Sequence, residues 1–185
     1  MDDDEITRWA LAARAGDRDA AATFIHATSA QLRRVLRSLA DSDQAEDLVQ
    51  ETYLRAFAAL PRYAGDAPAR LWLLSIARRV AADEVRSARR SPRVSDVELA
   101  GGRMDFRASP GPSGRVELQQ AVAALESDRR EAFVLTRMLG LSYAEAAEVC
   151  ECAVGTIRSR VFRARAELLD SLTGRQDPGE AAEPG

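Results

Sequence analysis

Apolar and polar positions along the 185-residue chain recur with helical spacing and alternate almost nowhere, so the pattern predicts helices and carries nearly no strand signal. Over residues 45–56, Ala45, Val49, Thr52 and Ala56 form an inward stripe, while Asp47, Gln50, Glu51 and Leu54 recur outward at i, i+3, i+4 and i+7. Further on, Leu73, Ile76, Ala77 and Val80 mark the apolar side of a second helix. Its other side is basic, with Arg79, Arg86 and Arg90 in one row and Arg78 and Arg89 in the next. Near the C-terminus, "LSYAEAAEVCECAVGTIRSRVFRARAELL" reads as two helices and a tight turn. Ser142 is a good N-cap and Glu145 follows three residues on, which makes a capping box. A break at 151–153 separates the helices. The second then buries Ile157, Val161, Ala164 and Leu168 and leaves Arg158, Ser159, Phe162 and Arg163 outside, with Thr156 in its first turn.

The periodicity lapses from Ser91 to Gly114, where prolines and glycines cluster and apolar content is low; this composition predicts a flexible linker. The expected fold is therefore all-α: two small helical domains, 5–90 and 115–172, joined by a linker over 91–114 and followed by a disordered tail at 173–185. Apolar residues at 46% and charged residues at 30% describe a soluble globular chain. No apolar run approaches the roughly 18–20 residues of a membrane span, so no membrane insertion is expected. The start, "MDDDEITRW", is acidic where a secretory signal is basic and then apolar, which places the expected location in the cytoplasm.

The two cysteines, Cys150 and Cys152, cannot form a disulfide framework, and the single histidine, His26, belongs to the other domain. Zinc needs about four ligands, so neither a metal nor a cofactor is expected, and the cysteines read as small buried side chains. No Ser/His or Cys/His pairing and no phosphate-cradling glycine loop supports an enzyme. Trp9 and His26 carry no motif.

Charge changes the picture more than composition does. The net charge is −3, yet residues 70–93 hold seven arginines against Asp83 and Glu84, while 41–51 hold five acids and no base. Segregation of this kind suits separate surfaces for separate partners. Positions 154–166 contain no acid, which a merely solvated helix face would include. In a helix-turn-helix the second helix enters the major groove. There an arginine grips guanine with both prongs, and Thr156 with the helix N-terminus suits a phosphate. Likewise, a basic helix behind the aromatic, glycine-bearing loop 61–68 is the combination that single-stranded DNA binders use.

The stretch "GLSYAEAAEVCECAVGTIRSRVFRARAEL" resembles region 4 of the extracytoplasmic-function (ECF) sigma factors, small two-domain members of the sigma-70 superfamily. "AEDLVQETYLRAF" is similar to their region 2.2, and "PRYAGDAPARLWLLSIARRVAADEVRSARR" to regions 2.3 and 2.4. The resemblance implies a sigma region 2 bundle and a sigma region 4 helix-turn-helix. Asp47, Gln50, Glu51 and Leu54 would bind core RNA polymerase. Tyr63, Gly65, Asp66 and Arg79 would hold a flipped base of the −10 element, with Arg86 and Arg90 on phosphates. Thr156, Arg158, Ser159, Phe162 and Arg163 would read the −35 element. Trp72 matches a structural tryptophan, read as core first and base platform second. The implied partners are core polymerase, promoter DNA and an anti-sigma factor. Three positions depart from the family pattern: Glu151 where glycine is common in the turn, Ala153 where proline is common, and Arg79 where a small polar residue is common. A conventional dimeric helix-turn-helix regulator, binding duplex DNA by itself, remains the alternative at this point.

Overall fold

The computed structural model describes residues 2–40, 45–90 and 119–173, and among them it contains helices and no strand. Four helices form the N-terminal lobe: α1 (Asp3–Arg14), α2 (Arg18–Leu39), α3 (Ala45–Ala59) and α4 (Ala69–Arg90). The C-terminal lobe follows with α5 (residues 119–124), α6 (Ser127–Phe133), α7 (Tyr143–Cys150) and α8 (Val154–Thr173). The expected linker, 91–114, and the expected tail beyond Thr173 lie outside the described residues.

Local chemistry sets the helix starts. Asp17 caps α2 by accepting from the N–H groups of Asp19 and Ala20, both at 2.9 Å. The acidic first turn of α1, Asp3, Asp4 and Glu5, complements the positive end of the helix dipole. Gly16 takes φ +99 in the turn between α1 and α2, a backbone that glycine adopts without strain. Phe24, Leu32, Val35 and Leu36 of α2 form the spine of the lobe, against Ile6 and Ala10 of α1, Leu48 and Val49 of α3, and Leu73, Ala77 and Val80 of α4. Each large side chain so buried contributes roughly 1.5–3 kcal/mol. The buried hydroxyls of this lobe find partners: that of Thr52 donates to the Leu48 carbonyl at 2.7 Å, and that of Tyr53 shares a 2.7 Å bond with Thr28 and donates to the Ile25 carbonyl.

In the second lobe α6 runs into a wide π-type turn over Val134–Met138, which stops at Gly140 with φ +74. The capping box at Ser142 is present in both directions, 2.7 Å from the Ser142 N–H to the Glu145 carboxylate and 3.2 Å from the Glu145 N–H to the Ser142 hydroxyl. Replacing Ser142 by alanine is expected to lower stability by about 1 kcal/mol, the usual cost of losing an N-cap; denaturant unfolding measures it. Ile157, Val161, Ala164 and Leu168 of α8 are all buried as their spacing predicts. One contiguous apolar core runs through both lobes, because α4 packs along α7 and α2 against α6. Two helical lobes match the sequence expectation; that they lie in contact is new.

Candidate nucleic-acid and partner interfaces

The outer stripe of α3 is displayed as its spacing predicts. Asp47 and Gln50 are exposed, Leu54 is 68% exposed, and Ala45, Val49, Thr52 and Ala56 turn inward. Glu51 is half-exposed and accepts from Arg55 at 2.7 Å; Arg55 also reaches Asp83 of α4 at 2.6 Å, and Asp83 pairs with Arg86. Hydrogen bonds from Arg55 and then Arg86 hold the Asp83 carboxyl below the usual carboxylate range. Both partners of the Glu51–Arg55 pair are about 43% exposed, so solvent screens it and the carboxylate stays available to a partner.

On α8, Arg158, Ser159, Phe162 and Arg163 are exposed, Phe162 at 75%, and Thr156 is half-buried in the first turn. Arg160 turns away from this row to pair with Asp128 of α6. The turn before α8 contains Glu151 at φ 54, with its N–H bonded to the Ala147 and Glu148 carbonyls. A non-glycine residue in this left-handed region costs roughly 1–2 kcal/mol, so the departure at 151 is a strained one, yet it leaves the outer row of α8 in place. Ala153 lies outside the helix. Cys150 is buried, and burial pushes its thiol up to about 12, which keeps it protonated and unreactive at neutral pH.

The third surface differs from expectation at one residue. Tyr63 is 6% exposed; its ring stacks on Trp72 with centroids 4.7 Å apart and its hydroxyl donates to the Ala67 carbonyl. The ring therefore braces the loop from inside and offers no free face to a base. The cause is the half-buried Trp72, which supplies the flat apolar partner that a tyrosine ring covers. Asp66 is exposed and Gly65 half-buried at the loop tip. Arg79 and Arg86 are exposed on α4. Arg90 closes α4, and its side chain lies outside the described residues.

The expected nucleic-acid side of α4 is also where the lobes meet. Arg70 binds both oxygens of Asp3 at 2.6 and 2.8 Å and reaches Glu145 of α7 at 3.1 Å. Arg78 donates to the Val149 carbonyl at 3.1 Å and lies 3.5 Å from Glu131 of α6. That pair is largely desolvated, with side chains 19% and 12% exposed. Burial pushes the Glu131 carboxyl up, and the Arg78 guanidinium pulls it partly back. At the rim, Arg79 pairs with Glu151. Sequence reasoning placed Arg79 and Glu151 among the departures from pattern without relating them. In the structure they are each other's partners, and the pair holds Arg79 against the opposite lobe.

Comparison with known proteins fits this architecture. The family described as Sigma-70 region 2 matches residues 24–91, and that described as Sigma-70, region 4 matches 115–168. The ECF RNA polymerase sigma factor SigC of Mycobacterium tuberculosis is 46% identical over 179 residues, covering 94% of this chain and 97% of that protein. The ECF RNA polymerase sigma factor EcfG of Rhodopseudomonas palustris is 38% identical over 144 residues, covering 75% and 78%. Among solved structures, CnrH in complex with the cytosolic domain of CnrY superposes with a TM-score of 0.71 at 26% identity, over 94% of this chain and 99% of that one. The sigma factor RpoE in complex with the anti-sigma factor NepR from Bartonella quintana superposes with a TM-score of 0.65 at 30% identity, over 83% and 96%.

Proposed function

Because this chain belongs to the ECF branch of the sigma-70 family, we propose that its three displayed surfaces divide the work of promoter-specific initiation. The outer stripe of α3 docks on core RNA polymerase. The 63–66 loop, with Arg79, Arg86 and Arg90 of α4, engages the −10 element as a single strand: Gly65 and Asp66 form the tip that meets the flipped base and Tyr63 supports it from behind. Thr156, Arg158, Ser159, Phe162 and Arg163 read the −35 element as duplex. The lobes correspond to residues 5–90 and 115–172.

The observation that carries this reading is the placement of two apolar side chains. A single exposed apolar residue on a surface needs no explanation. Here Leu54, 68% exposed, stands within an acidic stripe, and Phe162, 75% exposed, stands within an arginine stripe. An apolar anchor in line with carboxylates and another in line with guanidinium groups fit docking surfaces for two partners of opposite charge. The chain supplies recognition and strand capture, and the polymerase supplies the bond-forming chemistry, so the factor itself is not an enzyme. It works where polymerase is, in the cytoplasm; no described helix is long and apolar enough to cross a membrane. Control by an anti-sigma factor is supported by the likeness to RpoE held by NepR.

The test is reconstitution. The purified chain is expected to co-migrate with core RNA polymerase, and the complex to start transcripts at a defined promoter. A conventional dimeric regulator would bind duplex DNA unaided and fail both. Within that assay, Arg163→Ala is expected to lower transcript yield roughly tenfold or more, since one good arginine–guanine pair is worth about 1–3 kcal/mol. Polymerase affinity should not change, and its loss in that variant would contradict the assignment of α8.

A further inference from the structure

The geometry points to α1 as a positioning element for promoter reading, one that holds the strand-capturing loop from behind through a single stripe of side chains. This rests on the assignment of the 63–66 loop to the −10 element made above. Helix α1 has two faces. Ile6 and Ala10 point into the core and explain why the helix is present. Asp3, Thr7, Leu11 and Arg14 recur at i, i+4, i+8 and i+11, which places them on one neighbouring stripe.

Every member of that stripe ends on the segment 63–70. Arg14 donates to the Tyr63 carbonyl at 2.6 Å. The Leu11 side chain lies beneath Gly65, so that a Cβ added there would meet it at 3.5 Å. The Thr7 hydroxyl accepts from the Ala69 N–H at 3.0 Å, filling one of the unpaired donors at the start of α4. Asp3 takes both prongs of Arg70. Gly65 is at φ +88, and a short loop bent there has several backbone solutions unless its two ends are held. Four contacts along a rigid helix select one. The first two fix the tip side of the loop, and the last two fix where α4 begins. Helix α1 lies outside residues 24–91, the span of the region 2 family, so the clamp is supplied from beyond the segment that family covers.

A flipped base is read by groups held in one geometry, and a misplacement of about 1 Å is enough to weaken such contacts. The test uses holoenzyme made from the full chain and core RNA polymerase, challenged with a randomised single-stranded DNA pool. Recovered strands are sequenced, and the readout is enrichment of the favoured base at the most strongly selected position. Arg14→Ala is expected to lower that enrichment roughly tenfold, the loss that displacing one hydrogen-bonded base contact of about 1–3 kcal/mol would give. Arg14→Lys, which keeps a cationic donor, should recover most of it. Thr7→Val, which removes the acceptor for the Ala69 N–H, should act in the same direction. If Arg14→Ala and Thr7→Val merely lower total recovery and leave the enrichment pattern unchanged, α1 is only structural support and the proposal is overturned. Asp66→Ala separates the two layers of the argument. If Asp66→Ala abolishes the enrichment while Arg14→Ala keeps it, the loop reads DNA and the clamp is refuted. If both variants keep it, the loop does not read the strand, and the −10 assignment falls with the clamp.

Discussion

Replacing Asp47 and Glu51 together by lysine is expected to abolish co-migration with core RNA polymerase while leaving the fold intact. Both halves of the expectation follow from where the two carboxylates stand. Asp47 is exposed and Glu51 half-exposed, on the opposite side of α3 from the buried Val49, Thr52 and Ala56. The internal partner that Glu51 would abandon is Arg55, in an exposed i,i+4 pair worth about 0.3–0.5 kcal/mol. Arg55 keeps its 2.6 Å bond to Asp83, so no cation is stranded. Against that small internal loss, two reversals in a charge-complementary interface set like charges against each other, at several kcal/mol. Association should weaken by at least about a hundredfold, each 1.4 kcal/mol being a factor of ten. Gel filtration of the factor with core polymerase reads the loss, and thermal melting checks the fold. Unchanged co-migration would remove α3 as the docking face. Glu51→Gln, which deletes one charge without reversing it, should fall between.

The residues in these arguments were legible to different degrees, and the difference is one of range. The α7–α8 unit is legible because its determinants are local. Ser142 and Glu145 are three residues apart, and the four buried positions of α8 follow one helical period. The outer stripe of α3 is legible for the same reason. Tyr63 is less so: an aromatic in a loop looks available from sequence, and only the fold brings Trp72 against its ring. The clamp from α1 is not legible at all. Arg14 and Tyr63 are 49 positions apart, Thr7 and Ala69 are 62 apart, and Asp3 and Arg70 are 67 apart. Spacing within a helix shows which side chains share a stripe; what that stripe meets is decided by packing. The contact between the lobes belongs to the same class, because Arg78 and Val149 are 71 residues apart and each looks ordinary in its own helix.

That lobe contact leads to the second large effect: Arg78→Glu is expected to drive the lobes of the free factor apart, into the form that promoter binding requires. The closed body cannot serve both elements at once. By their names the −35 and −10 elements lie about 25 base pairs apart, which at about 3.4 Å per step is about 85 Å. A compact chain of 185 residues has a radius of gyration of only about 16 Å. The lobes must therefore separate. Closure is held by apolar packing of α4 along α7 and of α2 against α6, by Arg70 on Glu145, by Arg79 on Glu151, and by the desolvated Arg78–Glu131 pair. The last is the place to break it. A glutamate at 78 would take the cation away from Glu131 and the Val149 carbonyl and set a second carboxylate beside a largely desolvated one, and removing one partner of such a pair costs roughly 3–5 kcal/mol. Opening relieves this by returning both carboxylates to water, at the cost of exposing the apolar surface that α4 shares with α7. With fluorophores at the exposed positions Ala30 and Asp170, one in each lobe, energy transfer should be high in the free wild-type chain. It should be low in the promoter complex, and low in free Arg78→Glu. Free Arg78→Glu that transfers energy as efficiently as wild type would mean that the charged contacts of α4 are not what keeps the lobes closed. A wild-type promoter complex that stays at high transfer would contradict the simultaneous reading of both elements by one chain.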